Sequence, residues 1–271
     1  CVIVCLCGCA RYPDNPRLDE YNKAKGYRFD GLAAPADADR LFIILTLSGG
    51  GTRAAALSYG VLETLRDTRF VWEGTERSIL DEVDVISSVS GGSFTAADYA
   101  RFRADIFKSY EERFLYRNIQ SELEGLMMMP KNWFNLALSD YSRTDLAADF
   151  YDREIFEEKR FGDLIRQNQR PMVIINATDM TIGTPFTFIQ AQFDPICSDL
   201  SGVKVSRAVA ASSCFPVAFA PMTMNNYAGT CKYREPEWVD LALEDLQLNP
   251  TRYARARALQ SYNDASSRPY L

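Results

Sequence analysis

The hydrophobic residues of this chain fall into short continuous runs that alternate with stretches of helical spacing. The run at 41–47 is apolar except for Thr46, and it is typical of a central parallel strand covered on both faces. Helical spacing follows over 54–67, a second apolar run covers 83–86, and a second helical stretch covers 93–107. Because alternating strands and helices build a parallel sheet, this first part of the chain predicts an α/β fold.

The rest of the chain continues this pattern with a larger share of helix. Residues 108–165 are charged and have helical spacing, and a further buried strand is predicted at 171–178. The alternation of polar and apolar residues over 185–189 is typical of an antiparallel edge strand. Three more helices are predicted, at 205–211, 240–248 and 252–262. The sequence contains no internal repeat and no linker-like stretch, so one α/β domain over 41–271 is the simplest organisation.

Composition removes several classes of function. The net charge of −6 argues against a nucleic-acid partner, since phosphate binding needs a basic face. No apolar stretch approaches the ~20 residues of a membrane-spanning helix. The sequence contains no histidine, so these residues cannot build a Ser-His-Asp triad, a Cys-His pair or a histidine-ligated zinc site. We predict no metal and no cofactor, and any serine nucleophile would need a base other than histidine.

The first nine residues contain four of the seven cysteines. The sequence Leu-Cys-Gly-Cys at 6–9 resembles a bacterial lipobox, in which the last cysteine is lipidated after a signal peptide is cleaved. This resemblance predicts that residues 1–40 are a signal-peptide remnant and a polar, irregular leader. It also predicts Cys9 as the lipid anchor of a membrane lipoprotein that faces the periplasm of a bacterial cell envelope. The alternative is an apolar cluster of cysteines without a function.

The other three cysteines lie far from this cluster. Cys197 and Cys231 are in loop-like sequence, whereas Cys214 is in an apolar run. Because an oxidising compartment favours disulfides, we predict a bond between Cys197 and Cys231.

The loop after the first predicted strand contains three consecutive glycines, Gly49, Gly50 and Gly51, followed by Thr52 and Arg53. Glycine lets the backbone turn sharply and approach a ligand without interference from a Cβ atom. The N–H groups of Gly50, Gly51 and Thr52 would converge at a helix N-terminus, which favours an anion. Such a nest suits a phosphate or the oxyanion of a tetrahedral intermediate. A tight turn without a ligand is the alternative, and the glycine spacing does not match the dinucleotide-binding fingerprint.

Ser90 follows the second predicted strand and precedes the second predicted helix. With Ser88 and Gly92 two positions away on either side, it matches the G-x-S-x-G nucleophile elbow, with serine in place of the first glycine. The strained turn requires small residues around the nucleophile, and Ser88, Gly91 and Gly92 are small. Ser90 is therefore the candidate nucleophile, and a serine that only caps the helix is the alternative.

Four motifs together resemble the patatin-like phospholipase family. They are the glycine loop at 49–53, the elbow at 88–92, Asn-Ala-Thr-Asp at 176–179 and Ala-Ala-Ser-Ser-Cys-Phe-Pro at 210–216. The resemblance implies a three-layer α/β fold with a mainly parallel central sheet, and a Ser-Asp dyad in place of a triad. It also implies hydrolysis of phospholipids or other lipid esters at a membrane surface, with Ser90 as nucleophile. The oxyanion hole that it implies consists of Gly49, Gly50, Gly51, Thr52 and Arg53.

The chain departs from the family at the catalytic base. The family's aspartate lies in an Asp-Gly-Gly or Asp-Gly-Ala motif, and this sequence has neither. Asp240 stands in helical sequence and is predicted to be a surface residue, while Asp179 and Asp194 are predicted in a loop and a turn. The ending at 268–271 resembles the lead-in to the family's last strand, so we expect the base beyond Leu271 and the catalytic domain to lack its C-terminal portion.

Two alternative functions stay open at this point. The first is a catalytically silent patatin-like module that binds a lipid or another anion. The second is a thioesterase or peptidase built on a similar elbow. The sequence predicts neither the acyl chain nor the head group of a substrate.

An apolar segment interrupts the charged middle of the chain, with Met127, Met128 and Met129 followed by Trp133 and Phe134. Flexible apolar side chains in this position predict either a lip that contacts lipid or the ordinary packing of a helix end in the core.

Overall fold

The computed structural model describes residues 15–33, 41–138, 141–214, 220–244 and 247–271 of the chain. Its strands are β1 (Ile43–Leu47), β2 (Arg69–Trp72), β3 (Thr75–Ser78), β4 (Val83–Val89), β5 (Met172–Asp179) and β6 (Thr184–Thr187). The central sheet has the spatial order β1-β4-β5-β6. The β1–β4 and β4–β5 pairs are parallel, and β6 is antiparallel to β5. The mainly parallel sheet and the antiparallel edge strand confirm the predicted α/β class.

Helices occupy much of the remaining chain and pack around this sheet. They are α1 (Gly51–Asp67), α2 (Gly91–Phe102), α3 (Ile106–Tyr110), α4 (Ile119–Met128), α5 (Pro130–Leu138), α6 (Arg143–Tyr151), α7 (Phe161–Gln167), α8 (Gln190–Phe193), α9 (Val205–Ser212), α10 (Glu237–Leu243) and α11 (Pro250–Ser261). A π-helical turn over Glu111–Leu115 follows α3. The predicted helices are confirmed, with ends that differ by a few residues.

The helix after the central strand is deeply enclosed. Every residue of α2 from Gly91 to Ala100 is buried, and the helix packs against α1, α9 and the strands β4 and β5. Small side chains over this stretch allow that close approach. The burial fixes the N-terminus of α2, which is the point where Ser90 lies.

The structure places β1 at the edge of the sheet, although the sequence predicts a central strand covered on both faces. Within the described part of the chain, β1 pairs with β4 alone, and Ile44 is 55% exposed. A continuous apolar run indicates a strand without a polar face but carries no information about its neighbours. Among the described residues β1 is therefore an edge strand and not the predicted central one, while the strand and its parallel pairing are confirmed.

The hairpin of β2 and β3 was not predicted. Its turn is Glu73-Gly74, where both residues have positive φ angles, 50° and 80°. A two-residue turn with a glycine, between short alternating segments, is a recognised hairpin signal. The hairpin directly follows the helix predicted at 54–67, and no separate strands were assigned between that helix and the apolar run at 83–86.

Residues 15–33 pack onto the domain, although the sequence predicts them as part of a leader ahead of the fold. Tyr27 is 2% exposed, and its hydroxyl donates to the carbonyl of Val173 and accepts from the amide of Val173, each at 3.0 Å. Arg28 forms an ion pair of 2.5 Å with the buried Asp194. These contacts make the segment part of the folded core.

The predicted disulfide is present, joining Cys197 to Cys231, and Cys214 is a free thiol. Both bonded cysteines are fully buried. Cys9 lies outside the described residues. Within the described ranges, no helix has both the length and the apolar character needed to cross a bilayer.

Candidate active site

The glycine loop and the serine turn meet because β1 and β4 end side by side. Leu47 is opposite Ser88 in the parallel register, so the chain leaves both strands at the same edge of the sheet. In open α/β sheets this carboxyl edge is where ligands bind. The fold thus brings together the two loops that the sequence analysis singled out.

Ser90 occupies the turn between β4 and α2 with φ 50° and ψ −118°. This is a conformation that non-glycine residues rarely adopt, and such strain is characteristic of functional sites. Ser90 stands at the N-cap position of α2, yet its side chain makes no capping hydrogen bond. The alternative interpretation of Ser90 as a helix cap therefore has no support in the structure, and the hydroxyl is available for chemistry.

The turn is held so tightly that only glycine fits beside Ser90. A Cβ atom on Gly91 would lie 2.1 Å from the carbonyl oxygen of Gly51, and one on Gly92 would lie 2.8 Å from the carbonyl oxygen of Ser48. A Cβ atom on Gly49 would approach the Cβ of Ser90 to 3.2 Å. These glycines therefore set the distance between the two loops.

The glycine loop ends in an uncapped helix N-terminus. Gly50 has φ 138° and Gly51 has φ 65°, values that favour glycine over any L-residue. Gly50 is the N-cap of α1 and offers no side chain to the first-turn N–H groups. Those N–H groups have no partner within a helix, so the N-terminus of α1 can accept an anion.

A cavity of about 1100 Å³ lies over both loops. Its wall near the chemistry is formed by Gly50, Gly51, Thr52, Arg53 and Ser90. Its apolar lining includes Phe94, Phe114, Ile119, Leu123, Met127 and Tyr151. A lining that combines polar groups with several apolar side chains suits a ligand with a carbonyl or anionic group and a hydrocarbon chain.

The charges at the cavity are mainly cationic. Arg53, Arg117 and Arg143 line it, and Glu124 is the one carboxylate among its described lining residues. The Nε atom of Arg117 donates to Glu122 at 3.0 Å, and that bond raises the pKa of Arg117 above its ordinary value. Burial raises the pKa of the Tyr151 hydroxyl, which stays protonated at neutral pH. Arg117 is also paired with Glu154, so its charge is balanced by two carboxylates, and Arg53 is the cationic side chain of the lining that directly follows the glycine loop.

No aspartate lines the cavity within the described part of the chain. Asp240 is exposed on α10, as predicted. Asp179 is the last residue of β5 rather than a loop residue, and it is buried and accepts a 2.6 Å hydrogen bond from Tyr262. Asp194 is engaged by Arg28. In the same described ranges, no cluster of acidic or cysteine side chains could hold a metal ion.

Sequence reasoning missed two parts of this site. One is the part of the cavity wall that α4 contributes through Ile119 and Leu123. The helical spacing of this segment was visible in the sequence, but its position beside the two loops was not. The other is Ser212 at the end of α9, which lies close enough to accept a hydrogen bond of 2.8 Å from the amide of Ser90. Ser212 belongs to the motif at 210–216, and membership of that motif was the only indication in the sequence that it could lie near the site.

Comparison with known proteins gives one result. A family model described as patatin-like phospholipase matches residues 45–242 of the 271-residue chain. The matched span includes the glycine loop, the serine turn and the helices that line the cavity. No curated protein and no solved structure matches the chain.

Proposed function

The chain belongs to the patatin-like phospholipase family, a family of lipid acyl hydrolases, and on that premise we propose that it hydrolyses lipid esters with Ser90 as the nucleophile. The first-turn N–H groups of α1, from Gly50 to Thr52, are the proposed oxyanion hole. The proposed general base is an aspartate, since the sequence contains no histidine.

One observation carries this proposal. An uncommitted serine hydroxyl on a strained turn and an uncapped helix N-terminus face the same cavity, and Gly91 holds the two loops in backbone contact. A nucleophile needs an adjacent site for the developing oxyanion, and preorganised N–H groups are an effective form of that site. The apolar wall of the cavity suits the acyl chain.

The proposed reaction has two steps. The Oγ atom of Ser90 attacks the ester carbonyl while the aspartate accepts its proton, and the N–H groups of the glycine loop stabilise the oxyanion. The bond to the alcohol then breaks, and the alcohol leaves with that proton. Water attacks the acyl-serine, gives a proton to the same aspartate, and releases the fatty acid as Ser90 regains its proton.

The aspartate remains the open part of the proposal. Asp179 is hydrogen-bonded to Tyr262 and Asp194 is ion-paired with Arg28, and Asp240 is not among the described residues that line the cavity. The expectation of an Asp-Gly-Gly or Asp-Gly-Ala motif beyond Leu271 stays a prediction, which the downstream sequence of the gene would test directly.

The experiment measures hydrolysis by the full-length protein with a phospholipid, a soluble ester, a thioester and a peptide as substrates. We expect both esters to be cleaved, and Ser90→Ala to abolish the activity. Ser87→Ala is the matched control, because Ser87 lies in β4 three positions before Ser90 and its hydroxyl accepts a hydrogen bond of 3.0 Å from Asn176. Cleavage of the thioester or the peptide alone would favour the alternative substrate classes.

A second candidate function is a catalytically silent module that binds an anionic head group. The observation that favours it is the cavity lining, which includes Arg53 beside the glycine loop and no described aspartate, while Arg117 is ion-paired with Glu122 and Glu154. Binding of inorganic phosphate or of vesicles containing an anionic lipid, without hydrolysis by the full-length protein, would support it.

We further propose that the segment from Met127 to Met129, together with Trp133, contacts the lipid surface that supplies the substrate. Met127 lines the cavity, while Met128 is 74% exposed and Trp133 is 57% exposed. The indole N–H of Trp133 donates to the carbonyl of Met127 at 2.8 Å, which joins the exposed indole ring to the cavity-lining segment. Because both side chains are exposed, the alternative of packing in the core does not apply to Met128 or Trp133. The side chain of Phe134 lies outside the described part of the structure.

This lipid contact has its own test. Met128→Glu and Trp133→Glu are expected to lower the hydrolysis of phospholipid vesicles severalfold and to leave the hydrolysis of a soluble ester unchanged. Leu248→Glu is the control, since Leu248 is 87% exposed and lies beyond α10. Equal vesicle activity in all three variants would contradict the proposed contact.

The lipoprotein anchor at Cys9, with a location at the periplasmic face of a bacterial envelope, also stays a proposal. The disulfide between Cys197 and Cys231 supports it, because disulfides persist in oxidising compartments. Metabolic labelling with a clickable fatty acid would mark the wild-type protein and spare Cys9→Ala if the anchor exists.

A further inference from the structure

The amide of Ser90 depends on a partner outside its own secondary structure. Ser90 follows the last residue of β4 and precedes the first residue of α2. Its N–H donates instead to the Oγ atom of Ser212, at 2.8 Å. Because a residue with a φ of 50° persists only where its surroundings hold it, the acceptor of this bond bears directly on the nucleophile.

The hydroxyl of Ser212 has a defined orientation. It donates its single proton to the carbonyl of Asn176, at 2.7 Å, in β5. A hydroxyl has two acceptor lone pairs besides its proton, and one of them accepts the amide of Ser90. The Oγ atom of Ser93, whose proton goes to Ser88, lies 3.0 Å from that of Ser212. Ser212 therefore links the turn of the nucleophile to the neighbouring strand β5, and its Oγ atom also lies close to the first turn of α2.

The network continues to the residue that departs from the G-x-S-x-G pattern. The Oγ atom of Ser93 lies 3.1 Å from that of Ser88, and Ser88 in turn donates to the carbonyl of Ile174 at 3.2 Å. Ser88 is 1% exposed, so its hydroxyl needs these partners. The serine that replaces glycine is thus integrated in the same network and does not by itself indicate an inactive protein.

From this geometry we infer that Ser212 is a positioning residue, whose hydroxyl holds the backbone of Ser90 in the orientation required for nucleophilic attack. The inference rests on the proposed function of Ser90 as the nucleophile. Ser212 acts through the backbone amide and has no contact with the reacting atoms in this role. A displacement of about 1 Å in a catalytic group lowers the rate by about 10²-fold, so a loosened turn has a measurable effect on turnover and a small effect on binding.

The test compares two hydroxyls on the same helix, that of the half-buried Ser212 and that of the buried Ser206. Ser212→Ala removes the acceptor for Ser90, while the control Ser206→Ala removes a hydroxyl that bonds Asp152 at 3.2 Å. In the full-length protein we expect Ser212→Ala to lower kcat for a soluble ester and the rate of fluorophosphonate labelling by about 10-fold to 100-fold, with KM changed less than twofold. Ser206→Ala should change kcat less than twofold, and Ser212→Thr, which keeps the hydroxyl, should recover most of the loss. A kcat in Ser212→Ala equal to that of Ser206→Ala would overturn the inference, as would a threonine variant as slow as the alanine variant.

A second measurement separates this inference from the proposed function. Hydrogen exchange of the Ser90 amide, followed by NMR under native conditions, is expected to be at least tenfold faster in Ser212→Ala than in the parent and unchanged in Ser206→Ala. If the parent hydrolyses no ester, the proposed function is wrong, and the exchange rates still decide whether Ser212 holds the turn. Unchanged exchange in Ser212→Ala would overturn the inference even in an active enzyme.

Discussion

Gly91→Ala tests whether the spacing of the two loops matters for catalysis. A Cβ atom at this position would lie 2.1 Å from the carbonyl oxygen of Gly51, 2.9 Å from its carbonyl carbon and 3.0 Å from its nitrogen. All three are backbone atoms, so no side-chain rotation relieves the contact. To reach even 3.0 Å, the carbonyl oxygen of Gly51 must retreat by about 1 Å.

Gly51 is the first residue of α1, and its retreat moves the N–H groups of the proposed oxyanion hole away from Ser90. A misplacement of about 1 Å lowers a rate by about 10²-fold, which corresponds to about 2.7 kcal/mol of activation free energy. We therefore expect kcat/KM of Gly91→Ala for a soluble ester to fall about 100-fold in the full-length protein.

The matched control is Gly60→Ala. Gly60 also lies on α1, and a Cβ atom there meets no other atom within 4 Å. Alanine in a helix interior is more favourable than glycine by about 1 kcal/mol, so Tm should be unchanged or higher and activity should stay within twofold. A folded Gly91→Ala protein with kcat/KM within threefold of the parent would refute the claim that the loop spacing governs catalysis.

Three further predictions concern stability and the glycine loop. Replacing Cys197 and Cys231 together by serine should lower the free energy of unfolding by about 4 kcal/mol, because the bond closes a segment with a sequence separation of 34; an unchanged urea midpoint would contradict this. Gly50→Ala should lower Tm and slow fluorophosphonate labelling, since the φ of 138° at Gly50 is unfavourable for alanine by about 1–3 kcal/mol. Labelling at the parent rate would argue against a role for this loop. Burial raises the pKa of the Asp98 carboxyl to about 7 despite its ion pair with Arg113. The folded state therefore binds this proton more tightly than the unfolded state does. The resulting stabilisation is lost as the pH rises through about 7. Asp98→Asn should therefore reduce the fall in Tm of the parent between pH 5 and pH 8, and parallel Tm profiles would contradict the assignment.

Local patterns in the sequence were sufficient for much of the fold. The apolar runs before the glycine loop and before Ser90 predicted β1 and β4, and the alternation at 185–189 predicted the antiparallel strand β6. The same patterns placed both candidate loops, because in a parallel sheet the chain leaves neighbouring strands at one edge. The pairing of Cys197 with Cys231 was also correct.

What the sequence did not reveal depends on contacts between distant segments. The edge position of β1 is decided by the strands that flank it, and no residue within 41–47 encodes that. Tyr27 stands in polar sequence, yet its hydroxyl docks onto Val173, far along the chain. Ser212 has the sequence environment of an ordinary helix end, and only the fold brings it to the amide of Ser90.

The most direct test of the account is the site of reaction with a serine-directed fluorophosphonate, identified by peptide mass spectrometry on the full-length protein. We expect a single adduct on the Oγ atom of Ser90, lost in Ser90→Ala and retained in Ser87→Ala. An adduct on a different serine, or equal labelling of the Ser90→Ala protein, would contradict the assignment of Ser90 as the nucleophile.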